Sequence, residues 1–182
     1  MPQLQAHGLT VQTPKGWEGR IFRRAQQGEL GAQAEVPGPP APPGGQTYPV
    51  LHVATIPLAP TVADFASDAV EALGPTDALV VLKEYAPTEA TKPLFASPGL
   101  PTSIDPDAFN PSVLNRLIAG QAGLQRFLNA NNRAFCLYIV LGGYQRRHDV
   151  VPGVNTVLSS VRIDPGTGPT SVPSTPTTAP PP

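Results

Sequence analysis

The sequence predicts an α+β fold, an antiparallel sheet flanked by helices, over one domain spanning residues 1–163. Three observations point there. Short alternating or continuous apolar runs succeed one another across turn-forming residues. The stretch "PTVADFASDAVEALGP" carries apolar side chains at helical spacing. The most apolar segment, "RAFCLYIVLGG", follows "NANNR" and leads into a second helical pattern. Hairpins mixed with helices favour α+β over repeated parallel units.

In chain order, Leu9, Val11 and Thr13 alternate, "TPKG" suits a turn, and a second alternating run follows from Trp17 to Arg24. Residues 25–48 are rich in proline and glycine, and Leu30 and Val36 are their only aliphatic residues larger than alanine, too little apolar surface to offset ordering entropy. They read as a flexible insert. "YPVLHVATIPL" is a strand whose prolines belong near its ends.

The first helix reads from an N-cap at Thr61 to Gly74-Pro75. Val62, Phe65, Ala66, Ala69, Val70 and Leu73 face the core, and Asp64, Ser67, Asp68 and Glu71 face outward. "ALVVLKEY" is a strand covered on both faces. Six prolines break residues 86–123, where "PSVLNRLIAG" could supply a short helix. A hairpin then turns at "NANNR", and "VPGVNTVLSSVRI" gives a helix over Val154, Val157, Leu158 and Val161 with a last extended stub at Ile163. Residues 164–182, biased to Pro, Thr and Ser, read as a disordered tail.

The formal net charge of -1, with 12 basic and 13 acidic side chains, gives no general attraction to nucleic acid or an anionic membrane. A single cysteine excludes an internal disulfide, and no cluster has metal-ligand spacing. The first residues lack the pattern of a secretory leader, and the longest apolar run is about ten residues where a spanning helix needs about 20. The expectation is a cytoplasmic protein with no membrane segment, cofactor or metal.

The strand and P-x-G-W turn of "LTVQTPKGW", together with the aromatic hairpin "NRAFCLYIVLGG" and the helix "VPGVNTVLSSVRI", resemble the Mog1/PsbP-like α/β/α sandwich. They also resemble a group of uncharacterised actinobacterial proteins. The resemblance covers nearly all of the expected folded part. Relatives of that fold are mostly non-catalytic: the photosystem II extrinsic subunit, a factor that binds the GTPase Ran, and mycobacterial surface lipoproteins. The resemblance therefore implies a docking or ligand-holding module. This chain lacks the lipoprotein signal and lipidation cysteine, the photosynthetic leader, and an evident acidic patch to align with the Ran-binding factor, so no functional residue carries over.

Few residues offer chemistry. Cys136, between Phe135 and Leu137, reads as a buried structural thiol. His7, His52 and His148 are not spaced as metal ligands, and His52 in "VLHVATI" reads as a core or edge histidine. No nucleophile elbow, zinc-protease pair or P-loop is present. Trp17-Glu18-Gly19 and Tyr85 with Glu89 only mimic secretion signals that belong to helical hairpins. "PGPPAPPGG" has P-x-x-P spacing without an adjacent basic residue, and reads as a spacer.

The turn "GGYQRRHD" is the main candidate for ligand binding. Tyr144, Arg146, Arg147 and His148 lie between a strand and a helix, where guanidiniums and free N–H groups could meet a phosphate or carboxylate. Arg20, Arg23, Arg24 and Arg126 could join them if the strands are adjacent. Asp64, Asp68 and Glu71 would share one helix face, a candidate surface for a protein partner. The sequence thus favours a non-catalytic interaction or accessory module. The alternative is a small anionic-ligand binder or enzyme using the Arg146/Arg147 loop.

Overall fold

The computed structural model describes residues 1–23, 47–59, 63–114 and 116–165. The expected insert over 25–48 lies outside them except for its last two residues, and so does the tail over 164–182 beyond Pro165. Thr61 and Val62, the expected helix start, also lie outside.

The described residues form a mixed α+β fold with two antiparallel sheets and two α-helices. The strands are β1 (Gln3–Ala6), β2 (Leu9–Gln12), β3 (Glu18–Arg23), β4 (Pro49–Ala54), β5 (Ala78–Glu84), β6 (Ala122–Ala130), β7 (Arg133–Leu141) and β8 (Arg162–Ile163). The helices are α1 (Ser67–Ala72) and α2 (Arg147–Ser160). The larger sheet has the order β3-β4-β5-β7-β6 and the smaller β1-β2-β8.

Side chains alternate across the larger sheet, as the two-residue strand period requires. On one face Leu51, Val53, Val80, Leu82, Leu137 and Ile139 pack with Val151, Val154, Val157 and Leu158 of α2 and with Leu9 and Val11 of the smaller sheet. On the other, Val50, Leu79, Val81, Cys136 and Val140 pack with Phe65, Val70 and Leu73 around α1. Every residue of β7 is buried, because it lies between β5 and β6 with both faces covered.

The β6–β7 hairpin forms where "NANNR" predicted it. Asn131 and Asn132 have φ of 54° and 61°, the paired left-handed conformation of a two-residue type I′ turn. Asn131 Nδ2 also donates to the Ile163 carbonyl at 2.6 Å, tying this turn to β8. Ile163 does form a final strand, in register with Leu9.

Other expectations are corrected. A single sheet was expected; the two runs around "TPKG" instead belong to different sheets, with β2 paired to β1 and β3 paired to β4. Trp17 follows that turn and packs onto α2, where a Cβ on Gly153 would come within 3.1 Å of its ring. In the proline-broken stretch the helical segments among the described residues are 3-10 turns, and "PSVLNRLIAG" contributes one, Pro111–Val113. Helix α2 starts at Arg147, before "VPG", and holds Pro152 inside it. It therefore runs without the bond that residue 152 would donate to the His148 carbonyl.

The first helix is shorter than expected. Ala66 has a φ of 49°, left-handed geometry that cannot continue a helix, so α1 begins only at Ser67. Asp64 thus lies ahead of the helix with its side chain buried, not on an outward helical face with Asp68 and Glu71.

Candidate functional site

Three neighbourhoods bear on a candidate site. The first is the turn from β7 into α2. The backbone of Gly142 and Gly143 presses against the Gly74-Pro75 loop, and a Cβ on Gly142 would fall 1.9 Å from the Gly74 carbonyl oxygen. Tyr144–Arg146 then make one 3-10 turn before α2. Arg147 donates from Nε to Asp107 at 3.0 Å and stacks 4.5 Å from the Tyr144 ring centre. Arg146 pairs with Asp149 at 3.2 Å, and His148 Nε2 lies 3.6 Å from the same Asp107 carboxylate.

The structure does bring Tyr144, Arg146, Arg147 and His148 together, but with Asp107 and Asp149 among them. The two guanidiniums already have carboxylate partners, which leaves little net positive field for an anion. The Arg146 and His148 pairs are exposed and so hold their side chains only weakly.

The second neighbourhood lies under the connection from β4 to α1. Three basic side chains from three consecutive strands hold that connection. Arg20 of β3 donates to the carbonyls of Ala59 at 2.8 Å and Leu58 at 3.2 Å. His52 of β4, fully buried, meets the Asp64 carbonyl through Nε2 at 2.7 Å. Lys83 of β5 pairs with the Asp64 carboxylate at 2.6 Å and lies 4.9 Å from the Tyr85 ring centre. Burial pushes the His52 pKa below its ordinary value of 6.5, against the backbone bond and Asp64, which favour the charged ring. With Nε2–H donating to the carbonyl, Nδ1 is a buried lone pair with no partner among the described residues.

Cys136 shares this face, fully buried beside Gln125 Nε2 at 3.4 Å. Burial raises its pKa to about 11, so the thiol stays protonated at neutral pH. Burial likewise pushes the Tyr85 phenol well above its ordinary value.

The expected acidic surface is divided. Asp64 is internal, Asp68 and Glu71 are exposed on α1, and Glu71 pairs with Arg116. No group of three or more His, Cys, Asp or Glu side chains among the described residues is placed to hold a metal ion. No helix among them is long and apolar enough to cross a membrane.

The third neighbourhood is the candidate site. Two open grooves, of about 490 and about 620 Å³, lie on either side of the Pro98-Gly99-Leu100 loop. The first runs along β6 beside Arg126, Phe127 and Leu128; the second passes the Asn131-Asn132 turn and reaches Arg162 and Ile163. Among the described residues neither is lined by an acidic side chain. Arg162 is engaged with the Ser159 and Val161 carbonyls at 2.8 and 2.9 Å. Arg126 is exposed and has no ion pair with a described residue.

Sequence reasoning noted Arg126 only as a possible companion of Arg146 and Arg147. It overlooked the loop at Pro98. The available signal was Arg126 within "LQRFL", a charge inside a mainly apolar strand run. No protein-family model, curated protein or solved structure matches the chain.

Proposed function

We propose that the chain is a protein-interaction module without a catalytic step of its own, an adaptor or accessory subunit of a larger assembly in the cytoplasm. The observation that supports this reading is the form of its concave surfaces. The grooves beside Pro98-Gly99-Leu100 are open and follow a sheet edge. Small molecules are usually held in sites that enclose most of their surface, whereas an extended chain needs a long open one.

Likeness to the Mog1/PsbP-like sandwich belongs to the same proposal. Two of the segments behind it, "TPKGW" and "VPGV", touch through Trp17 and Gly153. A formal net charge of -1 also favours a protein partner over nucleic acid.

The test is affinity capture with the purified protein, followed by reconstitution of any captured protein as a purified pair of fixed stoichiometry. Failure to reconstitute any pair would remove the reading. A thermal shift with phosphorylated or carboxylated metabolites that disappears in Arg146→Ala/Arg147→Ala would replace it with a small anionic ligand on that turn.

A further inference from the structure

The outer edge of β6 is closed at two points and open between them. At one end the Asn110 and Gly123 backbones exchange N–H···O bonds of 2.9 and 3.0 Å. At the other, Asn129 N–H donates to the Ser97 carbonyl at 2.8 Å and the Asn129 carbonyl accepts from Gly99 N–H at 2.7 Å. Gly123 and Asn129 therefore direct their backbone groups away from β7. By the two-residue period of a strand, Gln125 and Phe127 between them do the same. Among the described residues neither has a backbone partner on that side.

The gap from Gly123 to Asn129 is about 20 Å at the usual strand rise, room for about five residues of an added chain. The groove lined by Pro98, Gly99, Leu100, Arg126, Phe127 and Leu128 runs beside it.

The pleat also sets the sequence that fits. A guest residue opposite Arg126 would put its side chain on the same face as this unpaired guanidinium. Guest residues opposite Gln125 and Phe127 would put theirs on the other face, where Phe127 packs edge-on against Phe95 with ring centres 5.5 Å apart, and against Tyr85 at 6.4 Å. We propose that the Gln125–Phe127 window of the β6 edge binds an extended peptide of a protein partner with an apolar-acidic-apolar core, its carboxylate on Arg126.

The occupant is another protein, not a second copy of this chain. Edge-to-edge pairing of two copies across this window would bring two Arg126 side chains into one short interface, and like charges close together oppose it. An anion alone would leave the four outward backbone groups of Gln125 and Phe127 unused. This inference rests on the interaction-module reading and adds to it the place and the chemistry.

The experiment is a titration of the full chain with acetyl-Thr-Val-Glu-Val-Thr-amide, followed by backbone amide NMR. The expected result is saturable shifts of the Gln125 and Phe127 amides. They should be lost when both valine nitrogens are methylated, lost in Arg126→Glu, and recovered in Arg126→Glu with lysine in place of the peptide's glutamate. Absent shifts at millimolar peptide, or equal binding of the methylated peptide, would overturn the proposal. So would shifts that follow protein concentration without peptide, which mark edge-to-edge dimers. A reconstituted partner whose affinity is unchanged by Arg126→Glu would defeat this inference and leave the module reading standing.

Discussion

Arg133 and Glu84 form a two-pronged ion pair between β7 and β5, Nε to Oε1 at 2.8 Å and Nη2 to Oε2 at 2.6 Å, with both side chains buried. The remaining guanidinium hydrogens reach main-chain carbonyls of other segments. Nη1 donates to Gly8 at 2.9 Å and Asp164 at 3.2 Å, and Nη2 to His7 at 3.1 Å. All five donors of one arginine are in use, and they join both sheets at one corner.

Arg133→Met should therefore destabilise the fold by about 3–5 kcal/mol, because Glu84 would remain as a buried unpaired charge. Arg133→Lys should not rescue it, since one ammonium cannot reproduce the planar fork. Urea unfolding measures the loss, and hydrogen exchange at Gly8 to Thr10 should show the small sheet opening first. Unchanged exchange there would mean that the clamp does not hold the smaller sheet.

His52 makes stability depend on pH. Its pKa in the fold is lowered, so below the ordinary value of 6.5 the unfolded chain takes up a proton that the folded chain refuses. This contribution is fully present above that value. It falls as pH drops below it, until the folded pKa is reached. Urea midpoints should decrease from about pH 7.5 to about pH 5.5, and His52→Gln should flatten the part of the slope nearest the histidine range. A slope identical in the variant would assign the effect to other groups.

Cys136 should behave as an inert thiol. It is fully buried and its pKa is raised to about 11, so native labelling by a disulfide reagent has to wait for opening of the β5–β7–β6 region. Labelling rates should rise steeply with urea in parallel with unfolding. Rapid labelling without denaturant would contradict this placement.

Gly142 should not tolerate alanine. The new methyl would meet backbone, not a flexible side-chain end, so the β7–α2 turn and the loop after α1 would have to separate. The expected cost is at least about 1–3 kcal/mol by thermal or urea unfolding. Gly16 is a useful reference because a Cβ there meets nothing within 4 Å, although its φ of +83° carries its own strain.

Asn132→Val tests the hairpin turn. A β-branched residue is strained at a φ of 61°, so a loss of about 1–2 kcal/mol is expected, with Asn132→Gly at least as stable as the parent. The urea midpoint decides. Asn131 is left untouched because its side chain also bonds to Ile163.

Local signals carried what was legible in the sequence. The paired asparagines and the apolar runs beside them announced the β6–β7 hairpin without outside help. Asp64 was misplaced because a helical wheel assumes that the helix continues, whereas Ala66 breaks it and Lys83, from a distant strand, takes the carboxylate. Strand β1 offered only Leu4 as a large apolar residue in "QLQA", and its pairing depends on β2, so periodicity had almost nothing to detect. The Arg133 clamp did leave a trace, since opposite charges mark the ends of two largely buried runs, "ALVVLKE" and "RAFCLYIVL". The β6 edge left only the charge of Arg126 in "LQRFL", because whether a strand's outer side is covered depends on a proline-rich loop with no period.

The smaller sheet also has a consequence for how the protein is made. Gln12 N–H donates to Ser160 Oγ at 3.1 Å across 148 positions, and β2 pairs with β8 just beyond. During synthesis β1 and β2 precede every strand of the larger sheet, whereas their third strand follows all of them. The larger sheet can assemble while they wait, and closure of the smaller one then records that translation has passed residue 163. Until β8 is made, β2, which carries the core residues Leu9 and Val11, lacks its second neighbouring strand.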